Sequence, residues 1–149
     1  DTFGVLTTYQ EESVLIHKKK KAADFFQADL KTCPDLAQTL IVSCAGLGME
    51  GHFIGLETLK IKETDRIAAL RNELQKLGVD FVEQNGKWKV KGVVSNRGDI
   101  TTYNDHRMAM AFAPLALKLK EIIIKDPMVV DKSYPGFWED LKKIGFIIQ

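Results

Sequence analysis

Two cysteines in 149 residues, Cys33 and Cys44, exclude a disulfide framework and offer no metal-binding spacing. No apolar run approaches the length that spans a bilayer, and no secretory signal pattern opens the sequence. There is no excess of charge of either sign: the formal net charge is +1, which removes any global electrostatic case for nucleic acid or a membrane surface. Together these absences point to a reducing cytoplasm. An initiating Met is also missing. The opening "DTFGVLTTYQ" runs straight into a strand-like pattern, so the chain reads as a piece of something longer. What is present is ordinary for a globular chain, with 45% apolar and 28% charged residues, enough for one domain with a real core. The run "HKKKKA" at 17–22 is a local exception and reads best as a solvated turn or strand edge.

The chain repeats itself. Asp29-Leu30 precedes "CPDLAQTLIVSCAGL", and Asp99-Ile100 precedes "YNDHRMAMAFAPLAL". Asp35 and Asp105 stand 70 positions apart, as do Leu47 and Leu117 at the helix ends, Ile54 and Ile124 in the short strands "HFIGL" and "EIIIK", and Lys62 and Lys132. Each Lys precedes a second helix, ending in "LQKLG" or "LKKIG", and there the offset falls to 67, so the second copy has a shorter final helix. Between the copies "VDFVEQNGKWKVKG" reads as two strands around an Asn85-Gly86 turn. The opening "FGVLTTYQEESVLIHK" has the same two-strand character. The expected fold is therefore α/β (in the α+β sense), built from repeated βαβαββ units. Residues 1–28 form the tail of a preceding unit, 29–98 one unit and 99–149 the final one, all within a single domain. Right-handed crossovers place the helices of each unit on one face of its sheet and gather the helix starts at one end.

The unusual polar clusters fall on those starts. In "DHRMAMAF", at 105–112, Asp105 or Asn104 caps a helix whose buried stripe is Met108, Ala111, Phe112 and Leu115. A cap does not explain His106 and Arg107, because the macrodipole disfavours cations at that end. They make sense if an anion sits between them and the free N–H groups; a solvated first turn is the alternative. In "LKIKETDRIAALRNELQKLG", at 59–78, Ile67, Leu70, Leu74 and Leu77 form an apolar stripe, with Thr64 as the expected N-cap. Lys60, Lys62 and Arg66 crowd the start of that helix around Glu63. An exposed salt-bridged turn would account for them at little energetic gain, but the second copy offers Lys132 at the equivalent place. Lys62, Arg66, His106, Arg107 and Lys132 for anions, with Asp35 and Glu63 as carboxylates, suit a small ligand bearing both phosphate and carboxylate. A Glu held among cations is a candidate proton donor and acceptor.

At this point "LKIKETDRIAALRNELQKLG", "YNDHRMAMAFAPLAL" and "DKSYPGFWEDLKKIG", with "PDLAQT" upstream, resemble the C-terminal part of the EPSP synthase family, the 5-enolpyruvylshikimate-3-phosphate synthases of the shikimate pathway of aromatic amino acid biosynthesis. The resemblance runs collinearly over essentially the whole chain. It implies a cytoplasmic transferase that moves the enolpyruvyl group of phosphoenolpyruvate to the 5-hydroxyl of shikimate 3-phosphate. Phosphate is released through a tetrahedral intermediate, with no metal or organic cofactor. It implies that Arg66, His106, Arg107 and Lys132 hold phosphoenolpyruvate, and that Lys62 and Asp35 face shikimate 3-phosphate. Asp35 becomes a candidate base, and Glu63 the group that gives and retrieves the proton at the methylene carbon. Thr58 stands where some members carry an Asn that touches shikimate 3-phosphate. The family has two similar domains of three units each around a cleft. This chain is then half of an active site, inactive alone, in a protein expected to be a monomer. Its partners are the two substrates and the missing N-terminal domain, with no nucleic acid and no membrane.

Two other readings stand beside this one. A non-catalytic anion-binding module could be built from the same repeats. The sister enolpyruvyl transferase acting on UDP-N-acetylglucosamine shares fold and chemistry but lacks KETDR and DHRMA.

Overall fold

The computed structural model describes residues 2–18 and 21–149. Lys19 and Lys20, the middle of the basic run, lie outside the described residues. The chain opens on an antiparallel hairpin, β1 (Val5–Tyr9) and β2 (Val14–Lys18), with Val5 opposite Lys18. This is the two-strand opening expected from the sequence.

The first unit follows as β3 (Phe25–Asp29), a 3-10 turn at Pro34–Leu36, α1 (Ala37–Leu47), β4 (Glu50–Ile54), a 3-10 turn at Glu57–Ile61, α2 (Arg66–Lys76), β5 (Asp80–Gln84) and β6 (Lys87–Lys91). Its sheet has the order β3-β4-β6-β5. β3 and β4 run parallel, and β6 is antiparallel to both β4 and β5. The βαβαββ unit is thus complete, with its first strand beginning at Phe25 rather than at 29. β5 and β6 join through Asn85 and Gly86, both at positive φ (54° and 74°), as a two-residue hairpin turn requires.

The second unit is shorter. β7 (Asp99–Ile100) pairs in parallel with β8 (Ile123–Ile124), so the run "EIIIK" contributes two paired residues. Between them the expected single helix is broken into α3 (His106–Phe112), a 3-10 turn at Ala113–Leu115 and α4 (Ala116–Leu119). Pro114 is the cause, since it brings no N–H and its ring crowds the preceding turn. A 3-10 turn at Pro127–Lys132 and α5 (Phe137–Lys143) complete the unit. α5 has 7 residues against 11 in α2, the shortening that the offset of 67 implied.

The core lies between the helices and the four-stranded sheet. Ile67, Leu70, Leu74 and Leu77 on α2 are buried, as are Met108, Ala111, Phe112 and Leu115 on α3 and the turn after it. Both predicted stripes face inward, against Ile41, Val42 and Ala45 of α1 and Phe53, Phe81 and Val90 of the sheet. α1 and α3, equivalent helices of the two units, pack on each other. Their shared face carries the two helix starts to one end. No helix among the described residues is long and apolar enough to cross a membrane.

Two of the first unit's turn glycines separate conformational need from space. Gly55 and Gly86 have the same φ of +74°. A Cβ on Gly86 meets nothing within 4 Å, whereas one on Gly55 would lie 2.4 Å from the Lys31 backbone N and 2.6 Å from Asp29 Oδ1. Gly86→Ala is expected to cost about 1 kcal/mol, the ordinary penalty for a left-handed residue with a Cβ. Gly55→Ala is expected to cost about 3 kcal/mol, because overpacking adds to the strain. Denaturant unfolding of the two variants checks this, and equal losses would contradict it.

Candidate active site

The site is built where three segments meet. The first is the 3-10 turn ahead of α1, which carries Asp35. The second is the KETDR segment, which leaves the turn at Ile61 in an extended conformation at Lys62 and enters α2 at Arg66. The third is the start of α3. The cap of α2 is Asp65 rather than Thr64. Asp65 is the extended residue directly before the helix, and its Oδ1 accepts the Ala68 N–H at 3.0 Å. At α3 the cap is Asp105, whose Oδ1 accepts the Arg107 N–H at 2.9 Å. Asn104 sits in the left-handed region instead (φ 58°).

Arg66 is the centre. Its side chain is 1% exposed, and three carboxylates share its donors. Nε donates to Asp105 Oδ2 at 2.6 Å, and Nη2 to Asp105 Oδ1 at 3.4 Å. Nη1 donates to Asp35 Oδ1 at 3.1 Å and Nη2 to Glu63 Oε2 at 2.8 Å. Burial works against the guanidinium charge and would lower its pKa. The Asp105 hydrogen bond and charge, then Glu63 and Asp35, outweigh that, and the net shift is upward. Arg66 is therefore held as a cation at any physiological pH.

Arg107 reaches across to the first unit, donating from Nη1 to the Asp35 carbonyl at 3.1 Å and pairing through Nη2 with Asp35 Oδ2 at 3.0 Å. Lys62 Nζ stands 3.9 Å from Asp35 Oδ1. Lys132 Nζ donates to both the carbonyl and Oδ1 of Asn104, each at 2.9 Å. The two lysines thus repeat one geometry, each reaching from the end of a 3-10 turn to the start of its own unit's first helix. His106 is nearly buried, and its Nδ1 has no partner.

Asp35, Lys62, Glu63, Arg66 and Arg107 therefore share one ion-pair network. His106 adjoins it on α3, and Lys132 adjoins it through Asn104. Thr58 stands apart from these pairs. It lines a cleft of about 540 Å³ together with Asp29, Lys31, Ile54, Gly55 and Glu57. Among the described residues no cluster of His, Cys, Asp and Glu is disposed to hold a metal ion. Three cations (Lys62, Arg66, Arg107) pair with three carboxylates (Asp35, Glu63, Asp105), and Lys132 stands beside them on Asn104.

Of the two groups that the macrodipole disfavours at the start of α3, Arg107 is met by the chain's own Asp35 carboxylate, and His106 is not. Sequence reasoning assigned Asp105 only a capping role. Its grip on Arg66, 39 positions away, left no local signal. Reasoning from the sequence also passed over Glu73 and Gln38, both fully buried polar residues; Gln38 has neither side-chain polar atom paired.

A βαβαββ unit followed by a copy that, against expectation, lacks the two closing strands among the described residues, with lysines and arginines at the helix starts, is an enolpyruvyl transferase type of fold. Its backbone matches an EPSP synthase structure from Acinetobacter baumannii with a TM-score of 0.70 at 26% identity, over 80% of this chain and 29% of that one. The family model for EPSP synthase (3-phosphoshikimate 1-carboxyvinyltransferase) matches residues 3–141, and the chain belongs to that family. Relatives called 3-phosphoshikimate 1-carboxyvinyltransferase include one from Bacteroides fragilis, 46% identical over 98% of this chain, and one from Clostridium novyi, 41% identical over 89% of it. The chain spans 37% and 31% of those two proteins.

Asp35 is the carboxylate that most directly occupies the cationic groups, touching Arg66, Arg107 and Lys62 while its own side chain is 48% exposed. Asp35→Asn removes one negative charge from the network and breaks the Arg107 ion pair, leaving Arg107 its bond to the backbone carbonyl. Binding of inorganic phosphate is expected to tighten about three- to tenfold, the effect of one screened charge at short range. Calorimetric titration at two salt concentrations checks this. Unchanged or weaker binding would show that Asp35 does not compete with an anion for these groups.

Proposed function

We propose that this chain supplies one half of the active site of an enolpyruvyl transferase. That enzyme joins phosphoenolpyruvate to the 5-hydroxyl of shikimate 3-phosphate and releases phosphate. The observation that carries the reading is the convergence of Asp35, Lys62, Glu63 and Arg66 from the first unit with Arg107 from the second, in a chain of this family.

In the first step the 5-hydroxyl oxygen bonds to C2 of phosphoenolpyruvate while the methylene carbon C3 takes a proton. The hydroxyl proton leaves to a base. Asp35 is the group we assign to that proton and Glu63 the donor to C3. In the second step C3 returns a proton to Glu63, the double bond reforms and the C2–O bond to phosphate breaks, the proton held by Asp35 leaving with the phosphate. No redox change occurs, and no metal or organic cofactor is required for the balance. Arg66, His106, Arg107 and Lys132 are assigned to phosphoenolpyruvate, and Lys62, Asp35 and Thr58 to shikimate 3-phosphate.

The saturated guanidinium sets a condition on this assignment. Asp105 is fully buried and stays on Nε, whereas Asp35 and Glu63 are 48% and 44% exposed and can leave Nη1 and Nη2 when an anion takes their place. Arg66 then offers two N–H arms with their orientation already fixed. Glu63, displaced from Arg66, becomes free to carry a proton.

We assign the remaining groups to the longer protein, and the active unit to a monomer of that protein. This chain by itself is expected to hold anions weakly without turnover, because transition-state stabilisation needs both sets of groups. We keep the division into the tail of a preceding unit, one unit and a final unit from 99 to 149, with the first boundary moved ahead of β3 at Phe25. The unpaired thiols Cys33 and Cys44 suit the reducing cytoplasm as its location.

Glu63→Gln in the longer protein tests the reading. Three cations within "KIKETDR" keep the local charge positive, so phosphoenolpyruvate binding is expected to persist or tighten slightly. The saturated rate is expected to fall about a hundred- to ten-thousand-fold, the usual share of a general acid–base group. Steady-state kinetics with solvent-deuterium exchange into the methylene group measures both. Normal turnover and exchange in the variant would reduce Glu63 to an ion-pair partner of Arg66.

A further inference from the structure

Glu73 is a buried carboxylate for which the proposed reaction has no use. Its side chain is wholly buried on α2, yet three donor groups fill its lone pairs. Lys76 Nζ donates to both oxygens at 2.9 and 2.6 Å. The Thr101 backbone N–H donates at 3.1 Å and the Tyr103 hydroxyl at 2.8 Å. Lys76 also donates to the Asp99 carbonyl at 3.2 Å. A carboxylate out of water is stable only with such a full set of partners. All of them except Lys76 lie on the link from β7 to α3.

That link is strained. Tyr103 and Asn104 are consecutive non-glycine residues at positive φ, 54° and 58°. Two such residues in succession make a type I′ turn, closed by the Asp105 N–H on the Thr102 carbonyl at 2.9 Å, and Tyr103, a bulky residue uncommon at positive φ, needs outside support there. The turn sets down four functional positions in succession. Asn104 receives Lys132, Asp105 holds Arg66, and His106 and Arg107 begin α3. Arg66 and Glu73 are seven positions apart on α2 and therefore share a face. One helix thus grips the segment at two points, at the cap through Arg66 and ahead of the turn through Glu73. Burial raises the pKa of the Tyr103 phenol; a hydrogen bond from Asn72 opposes this and the one to Glu73 adds to it, so the hydroxyl stays a donor.

We propose that Glu73 is a positioning residue of the active site: through Thr101 and Tyr103 it fixes the left-handed turn that sets His106 and Arg107 beside Arg66. This rests on the function proposed above, and neither Glu73 nor Tyr103 is assigned any contact with substrate.

The test uses Glu73→Gln and Tyr103→Phe in the longer protein. Phe81→Leu, a core change away from the turn, serves as a control for lost stability alone. Both test variants are expected to raise KM for phosphoenolpyruvate, and to weaken inorganic phosphate binding, about five- to thirtyfold, the effect of losing a buried hydrogen bond. The saturated rate is expected to change less than about threefold, since no group assigned to proton transfer is removed. Amide hydrogen exchange over residues 102–107 is expected to speed up at least about tenfold while α1 keeps its protection. The control should move none of these. Should Glu73→Gln fail to fold, Tyr103→Phe, which removes one hydroxyl, decides alone. Unchanged exchange at 102–107, or faster exchange with KM and phosphate affinity unmoved, overturns the proposal. Exchange and phosphate affinity are read without turnover. A wild-type protein that transferred no enolpyruvyl group would therefore refute the proposed function and still leave Glu73 decided by these two readouts.

Discussion

A guanidinium almost entirely removed from water keeps its charge only if carboxylates surround it, and the buried pair of Arg66 with Asp105 is the interaction on which the rest of the site depends. Arg66 begins α2 in the first unit and Asp105 caps α3 in the second. Their contact is therefore a bond between the two units as well as a fixture of the site. Losing either partner would strand a buried charge, an outcome that typically costs about 3–5 kcal/mol. Asp35 and Glu63 join the same cation from the solvent side. The result is graded: a fully buried inner pair, and two outer carboxylates that remain partly exposed.

Repetition makes this arrangement economical. Because the two units share one plan, equivalent positions arrive at equivalent places. Asp35 and Asp105 both precede a first helix and both hold Arg66. Lys62 and Lys132 both return from a 3-10 turn to the start of that helix. Differences between the copies make the cluster asymmetric. Only the first unit carries Glu63 and Arg66, and only the second carries His106 and Arg107.

How much of this could be read in advance follows from the range of each interaction. The stripes Ile67–Leu70–Leu74 and Met108–Ala111–Phe112 were legible because helical periodicity is local, and the hairpin at Asn85-Gly86 because its turn chemistry is. The repeat placed the cations together before any coordinates did. Three things were not legible. The cap at Asp65 rather than Thr64 depends on one residue of helix phase. The break at Pro114 was masked by apolar spacing that continues through it to Leu119. The carboxylates on Arg66 come from 31 and 39 positions away and exist only once α1, α2 and α3 are packed. Glu73 escaped for a related reason. In "RNELQK" it looks like a solvated helix residue, and only the fold brings Thr101 and Tyr103 to it.

The measurement that bears most directly on this account is a double-mutant cycle on Arg66 and Asp105, read by denaturant unfolding of Arg66→Ala, Asp105→Ala and the pair together. If the buried contact joins the two units as described, each single change is severe and the double change costs far less than their sum, with a coupling of at least about 2 kcal/mol. Single effects that add to within about 0.5 kcal/mol would show that the two residues act independently, and the central claim would fail.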